Sequence, residues 1–374
     1  MRYKYAHFIT ENVAPKGATK ILIKRKINDT EEVEVCSIPL GGLTPVSKEP
    51  LYSFGLLSDI HLWKTETSWG GNAKFDNALS YFNSQELLFC AHCGDITQTG
   101  LYDEGDKNTL QPEQFKVYKR TCDKYSIPVY GICGNHESYV NPITNNPNEL
   151  KYYTGTALTY TISSAPASDE TSGTTVRPNV YVPVRNDLFI MIGQPTWIPE
   201  STAVPMSDND FAWLQTILAN NTHRRCFIFI HSYIEEDSGD AKDVRENSMF
   251  DKWNKTSAFM DLLSRYKNTV LFHGHSHMMF ENQKYYDSTQ PLDKDQESYK
   301  AANYTEKNGF KSVHVPSCAT PRYIDFNENK GKDDYTLSEG YIVDVHDDCI
   351  VLNGLSFSGT NATPVPLGTY KIEV

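Results

Sequence analysis

The sequence predicts an α/β protein in which a largely parallel sheet is covered by helices, and three observations lead there. Short apolar runs recur at Leu56-Leu57, Leu87-Leu88-Phe89-Cys90, Val129-Tyr130-Gly131-Ile132-Cys133, Cys226-Phe227-Ile228-Phe229-Ile230 and Val270-Leu271-Phe272. Segments with apolar residues at helical spacing lie between them, the alternation that βαβ units produce. Each run also ends in chemistry: Asp59-x-His61, Gly94-Asp95, Gly134-Asn135-His136-Glu137, His231 and Gly274-His275-x-His277. The C-terminal ends of strands are where open α/β sheets place their ligands. On a continuing strand Asp59 and His61, two residues apart, share one face and turn toward one point.

In chain order, Lys20–Ile27 and Glu31–Ile38 alternate or nearly alternate apolar with charged residues around Asn28-Asp29, which predicts a hairpin. The Pro- and Gly-rich stretch from Pro39 to Pro50 reads as a linker. A small N-terminal β module is expected at 1–45, ahead of a main domain at 51–374. A two-stranded hairpin is marginal alone, so it must recruit Tyr3–Ile9 as a third strand or pack on the main body. Helices are expected at Ala73–Phe82, at Pro112–Tyr125 with the proline at its start, at Asp208–Asn220 behind an Asp cap, and at Ser257–Tyr266. Two polar segments, 139–179 and 281–309, follow motif residues directly and read either as a substrate-facing cap or as surface insertions. Gly340–Val345 and Cys349–Leu352 form a second hairpin about Asp347-Asp348, followed by a loop at Asn361–Pro366 and a last strand at Tyr370–Val374.

Composition narrows the functional classes. The 374 residues suffice for one large domain with appendages, and no stretch approaches the roughly 20 apolar residues of a membrane span. The start, Met1-Arg2-Tyr3-Lys4-Tyr5-Ala6-His7, lacks the apolar core of a signal peptide, so a soluble cytoplasmic protein is expected. A net charge of 35 − 47 = −12 disfavours a broad basic face for nucleic acid or anionic lipid. It leaves open a small charged substrate held by metal ions. Four of the eight cysteines, Cys90, Cys93, Cys133 and Cys226, lie in or at the end of strand candidates and read as reduced core thiols.

A single buried histidine is more often a satisfied core residue than a ligand, and that reading suits His92, His273, His314 and His346. The set Asp59, His61, Asp95, Asn135, His136, His231, His275 and His277 is different, because every member ends an apolar run. Burying so many polar groups without partners would cost several kcal/mol apiece, a difficulty that a bound cation removes.

The order and spacing of these motifs resemble the five motifs of the calcineurin-like metallophosphoesterases, over roughly residues 52–277. The resemblance implies a four-layer α/β/β/α sandwich holding two divalent metals. It implies Asp59, His61 and His277 at the first metal, Asn135, His231 and His275 at the second, Asp95 bridging both, and His136 at the leaving oxygen. Two such ions about 3.5–4 Å apart clamp the attacking and leaving oxygens of an in-line displacement and turn water into a hydroxide nucleophile at neutral pH. Mixed nitrogen and oxygen ligands suit Mn, Fe, Zn, Co or Ni better than Mg or Ca.

Within the family, a purple-acid-phosphatase-like site needs tyrosine three residues after the bridging Asp, where this chain has Gln98. Ser/Thr-phosphatase-like proteins carry Asp-Arg-Gly after the second motif, where this chain has Ile96-Thr97-Gln98-Thr99-Gly100. Ser-Asp-x-His-Leu and Gly-Asp-x-Thr resemble the cyclic-nucleotide-phosphodiesterase-like branch, with bacterial and prophage-borne members, although Glu137 stands where that branch has Asp. The expectation is a soluble phosphoesterase acting on a small phosphate ester, a diester before a monoester. The alternatives are a broad phosphomonoesterase or nuclease, and a phage-particle or binding protein with little turnover.

Overall fold

The computed structural model describes residues 20–28, 31–39, 49–65, 71–98, 107–138, 163–164, 179–194, 204–234, 250, 253–280, 304–307, 310–325, 330–358 and 363–374. The chain divides into two units, Met1–Glu49 and Pro50–Val374. In the first, β1 (Lys20–Asn28) pairs antiparallel with β2 (Glu31–Pro39), with Ile21 opposite Ile38 and Ile23 opposite Cys36. Tyr3–Ile9 and residues 40–48 of the linker lie outside the described residues.

The second unit is built on two sheets. One has six strands in the order β17 (Val365–Glu373), β16 (Cys349–Ser356), β15 (Glu339–Val345), β3 (Tyr52–Leu57), β4 (Cys90–His92) and β5 (Val129–Gly131). The other has seven: β11 (Tyr304–Lys307), β12 (Phe310–His314), β10 (Thr269–His273), β9 (Arg225–Phe229), β8 (Asp187–Met191), β7 (Val180–Val184) and β6 (Ser163–Ser164). A short ribbon pairs β13 (Arg322–Asp325) with β14 (Lys330–Asp333).

The central strands of both sheets are buried on both faces, which is why they read as continuous apolar runs rather than alternating ones. Along β8, Phe189 and Met191 enter the layer between the sheets, while Leu188 and Ile190 face the helices. Phenylalanines dominate the middle layer: Phe54 stacks on Phe89 at 5.3 Å and meets Phe189 edge-on at 5.3 Å, and Phe229 stacks on Phe272 at 5.1 Å. Helices α1 (Gly71–Asn83) and α2 (Lys107–Cys122) cover the six-stranded sheet through Phe75, Ala78, Leu79, Phe82 and Tyr118. Helices α4 (Asp208–Ala219) and α5 (Thr256–Ser264) cover the seven-stranded one through Phe211, Leu214, Phe259 and Leu263, and α3 (Asn135–Ser138) is a single turn after β5. Helix, sheet, sheet, helix is the four-layer order expected.

Three details differ from the sequence reading. The sheets are mixed: β3, β4 and β5 run parallel, as do β8, β9, β10 and β12, but β15–β16–β17 and β7 and β11 add antiparallel pairs. Short turns such as that between β15 and β16 can join only antiparallel neighbours. Pro112 lies inside α2 rather than at its start. The cap of α4 is Ser207, whose hydroxyl accepts from Asp210 N while the Asp210 carboxylate accepts from Ser207 N; Asp208 merely follows it in the first turn. Of the polar segments 139–179 and 281–309, only Ser163–Ser164, Asn179 and Tyr304–Lys307 fall among the described residues.

No helix among the described residues is long and apolar enough to cross a membrane. Cys90, Cys93, Cys133 and Cys226 are buried free thiols.

Candidate metal centre

The parallel strands of both sheets end at one edge of the sandwich, and the polar residues gather just beyond. Strand alternation is not what aims them. β3 stops at Leu57, and Asp59 and His61 both have a left-handed backbone, with φ of 50° and 49°. Asp95, His275 and His277 share this conformation at 49°, 71° and 61°. Non-glycine residues adopt it rarely and at a cost, and such strain collects at functional sites. Neighbouring loops hold it in place: Asp59 N bonds to Gly94 O at 3.1 Å, and Ile60 N and His61 N both reach Asp95 O, at 2.8 and 3.0 Å.

Two ligand sets result, Asp59, His61, Asp95 and His277 on one side and Asp95, His231 and His275 on the other. Within each, the donor atoms lie within 4.8 Å of one another and every residue is buried. Asp95 belongs to both. Asn135 joins the second set, its Oδ1 2.8 Å from His231 Nε2.

The carboxylates are half-committed. Asp59 Oδ2 accepts from Ser58 Oγ at 2.6 Å and His275 N at 3.0 Å, and Asp95 Oδ1 accepts from His136 N at 3.0 Å. Their other oxygens, Asp59 Oδ1 and Asp95 Oδ2, are buried without a hydrogen bond. Imidazole nitrogens surround them: His277 Nε2 at 3.0 Å and His61 Nε2 at 3.9 Å from Asp59 Oδ1, and His231 Nε2 at 3.2 Å with His61 and His136 Nε2 at 3.8 Å from Asp95 Oδ2.

The outer partners decide what those nitrogens carry. His231 Nδ1 lies 2.7 Å from Cys93 O, His136 Nδ1 2.9 Å from Gln98 O and His277 Nδ1 3.1 Å from Thr320 O. A carbonyl only accepts, so each Nδ1 is the N–H and each neutral ring presents a bare Nε2 to the centre. His61 Nε2 and His277 Nε2 then face each other at 3.0 Å. Lone pairs of carboxylate, carboxamide and imidazole converging in a dry site are the donor set of a cation, and they fit two divalent ions sharing Asp95.

Charge reinforces the arrangement. Burial alone would raise the Asp59 and Asp95 carboxyls, but the imidazoles around them, His277 foremost for Asp59 and His231 for Asp95, hold both well below the usual range. Burial would lower His231, yet Asp95 and Asp59 outweigh it and carry the metal-free imidazole up to about 9. His61 goes the other way, lowered by burial and by the neighbouring His136 and His277.

Every residue singled out as a site residue is brought to this centre. Two of the four histidines read as core residues have partners of their own: His92 Nε2 meets Tyr118 OH at 2.9 Å and His314 Nδ1 meets Ser276 Oγ at 3.0 Å.

Glu137 supplies a brace that its sequence position did not disclose. Fully buried, it accepts from Thr97 N and Thr97 Oγ1 through one oxygen and from Gly134 N through the other, all at 2.8 Å. It thereby buckles the Asp95 loop to the Asn135 loop. Thr320, far along the chain in a Pro/Ser/Ala/Thr stretch that reads as loop, gives no local signal of its contact with His277.

Comparison with known proteins decides the family. Residues 52–279, well over half of the chain, match the calcineurin-like phosphoesterases. The chain belongs to that family. This calcineurin-like phosphoesterase is accordingly a metal-dependent phosphoric ester hydrolase by family and by donor set. A dimetal phosphatase from Danio rerio superposes with a TM-score of 0.53 at 13% identity, covering 87% of this chain and 99% of its own, a likeness of fold. A purple acid phosphatase from yellow lupin has a TM-score of 0.48 at 11% identity, covering 92% of this chain and 57% of its own. No curated protein sequence gives a significant match.

Proposed function

We propose that the chain is a two-metal phosphodiesterase acting on small phosphate diesters. Asp59, His61 and His277 would hold one ion and Asn135, His231 and His275 the other, with Asp95 belonging to both sets. The observation that carries this reading is the bare Asp95 Oδ2, which has His61 Nε2 on one side and His231 Nε2 on the other. The donor set suits Mn, Fe, Zn, Co or Ni. When bound, such a pair supplies Lewis acidity at the phosphoryl oxygens and lowers the pKa of water. Preference for a diester rests on the likeness of Ser58-Asp59-x-His61-Leu62 and Gly94-Asp95-x-Thr97 to the cyclic-nucleotide-phosphodiesterase-like branch.

The chain's own residues orient and protonate. Asp95 Oδ1 accepts from His136 N, which orients the carboxylate, and Oδ2, buried without a hydrogen bond, would be the oxygen offered to the ions. His136 commits Nδ1–H to Gln98 O, leaving Nε2 as the nitrogen that faces a substrate. Delivering a proton to a leaving alkoxide therefore requires the imidazolium form, which returns to the neutral tautomer already fixed by Gln98. Such a contribution is typically about 10²–10⁴-fold.

The test is turnover by metal-stripped protein after addition of Mn, Ni, Zn or Mg, on bis-p-nitrophenyl phosphate, p-nitrophenyl phosphate and single-stranded DNA. Faster hydrolysis of the diester with at least one of the first three metals is expected. Faster hydrolysis of the monoester, or cleavage of the DNA alone, would replace the diester reading. No turnover under any condition would favour a binding role.

A further inference from the structure

We infer that the turn Ser317-Cys318-Ala319-Thr320, which lies beyond the residues matched by the family, sets the geometry of the first metal position by clamping Asp59 and His277 together. This rests on the two-metal reading and adds a positioning role to residues outside its ligand set.

Asp59 and His277 are far apart in the chain, and both have left-handed backbones that need support. The turn supports both. On one side Ser317 pairs with Ser58 as a parallel bridge, Cys318 N donates to Ser58 O at 2.8 Å, and Asp59 O accepts twice, from Ser317 Oγ at 3.0 Å and Ala319 N at 3.1 Å. On the other side Arg322 N donates to His277 O at 2.6 Å and Met279 N to Arg322 O at 2.9 Å. Ser317 Oγ also accepts from Ala319 N at 3.2 Å and Thr320 N at 2.8 Å, so one buried hydroxyl closes the turn and reaches the Asp59 backbone.

The tip of the turn then meets the ligand itself. His277 Nδ1 lies 2.9 Å from Thr320 Oγ1 and 3.1 Å from Thr320 O, a shared hydrogen bond that fixes both ring orientation and tautomer. With the proton on Nδ1, the bare Nε2 points at Asp59 Oδ1, 3.0 Å away. The turn is itself pinned from behind. Lys74 on α1, only 8% exposed, donates through Nζ to Ala319 O and, at 2.8 Å, to Tyr335 O. A buried ammonium is costly unless its donors are used, so its presence here marks the turn as a part held in place.

The second set takes its outer support elsewhere, with His231 leaning on Cys93 O and Asp95 braced by His136 N. The clamp therefore touches ligands of the first position directly and reaches the second only through Asp59, whose carboxylate accepts from His275 N at 3.0 Å. Thr320 and Ser317 are positioning residues, since they touch ligands and not substrate.

The experiment is calorimetric titration of metal-stripped full-length chain with Mn²⁺, for wild type, Thr320→Val, Thr320→Ser and Ser317→Ala, with electron paramagnetic resonance to separate coupled Mn pairs from isolated Mn. Loss of an outer-shell partner typically weakens a metal by about 10–100-fold. Because Thr320 O remains, Thr320→Val should weaken one of the two binding events by about tenfold and leave the other within about twofold, with Thr320→Ser restoring it. Ser317→Ala should weaken the same event at least as much. At half-loading, Thr320→Val should show isolated Mn where wild type shows coupled pairs. Equal effects on both events, no effect, or failure of Thr320→Ser to restore binding would overturn the inference. If Thr320→Val does not fold, Thr320→Ala gives the same comparison without a misplaced methyl. A wild-type chain that binds fewer than two ions would instead overturn the two-metal reading, which is thus separable from failure of the clamp.

Discussion

Replacing Gly134 with alanine tests the packing that sets Asp95. A Cβ at position 134 would lie 2.2 Å from Asp95 Oδ1 and 2.5 Å from Asp95 N. Relaxed carbon contacts need roughly 3.5 Å, so either the Asp95 loop or the Asn135 loop must retreat by about 1 Å. The side-chain end alone cannot absorb this, because Asp95 N is backbone and Glu137 buckles the two loops together. Overpacking of this kind costs about 1–3 kcal/mol. At about 2–4 °C per kcal/mol the melting temperature should fall by roughly 2–12 °C. A displacement of about 1 Å at a reacting centre can cost about a hundredfold, and a loss of that order in kcat/KM on bis-p-nitrophenyl phosphate is expected. Gly193→Ala is the control, since its Cβ would sit 3.4 Å from Cys133 N and 3.7 Å from Cys133 Cβ, near ordinary contact. It should change stability by no more than about 0.5 kcal/mol. Equal melting temperatures and equal turnover for the two variants would refute the claim that close packing against Gly134 places Asp95.

Three further outcomes are expected. His136→Asn should keep both ions and near-wild-type melting while lowering kcat, and should slow an alkyl or nucleoside ester more than a p-nitrophenyl ester, whose leaving group needs little protonation; metal loss in this variant would make His136 a ligand instead. Asp187→Ala should destabilise the fold by about 3–5 kcal/mol in chemical denaturation, because it strands the Arg225 guanidinium, 1% exposed and bonded to Asp187 at 2.8 and 2.9 Å. A loss below about 1 kcal/mol would show that water or His346 O already satisfies Arg225. His92, held at about 3 by burial and then by the nearby His231, should make the protein acid-sensitive. Its pKa is depressed on folding, so as pH falls below about 6.5 the unfolded chain takes up a proton that the folded chain refuses, and stability drops by at most about 1.4 kcal/mol per pH unit. His92→Gln should flatten that part of the pH–stability curve, and an unchanged slope would place the acid sensitivity elsewhere.

Much of this site can be read from the chain because each ligand closes an apolar run, and a polar residue there must meet a partner. The runs also disclose which strands are central, since only strands buried on both faces lose the alternation of a half-exposed sheet. What the pattern cannot carry is contact between distant segments. Asp59 and His61 converge through left-handed backbones held by Gly94 O and Asp95 O, not through the strand alternation that their spacing suggests. Glu137 looks like a one-methylene departure from a family habit until its carboxylate is seen spanning Thr97 and Gly134. Ser317 and Thr320 sit in a stretch without periodicity, and their importance comes wholly from what lies beside them. Pro112 invited a helix start that the chain places five residues earlier, at Lys107.

If two ions share Asp95, metal content per chain shows it most directly. Elemental analysis after loading and desalting should give about two ions for wild type, about one for Asp59→Ala and fewer than one for Asp95→Ala, because only the shared carboxylate serves both sets. Chelation should also lower the wild-type melting temperature, since ions that bind only the folded chain stabilise it by mass action. An Asp95→Ala chain that still carried two ions would contradict the account.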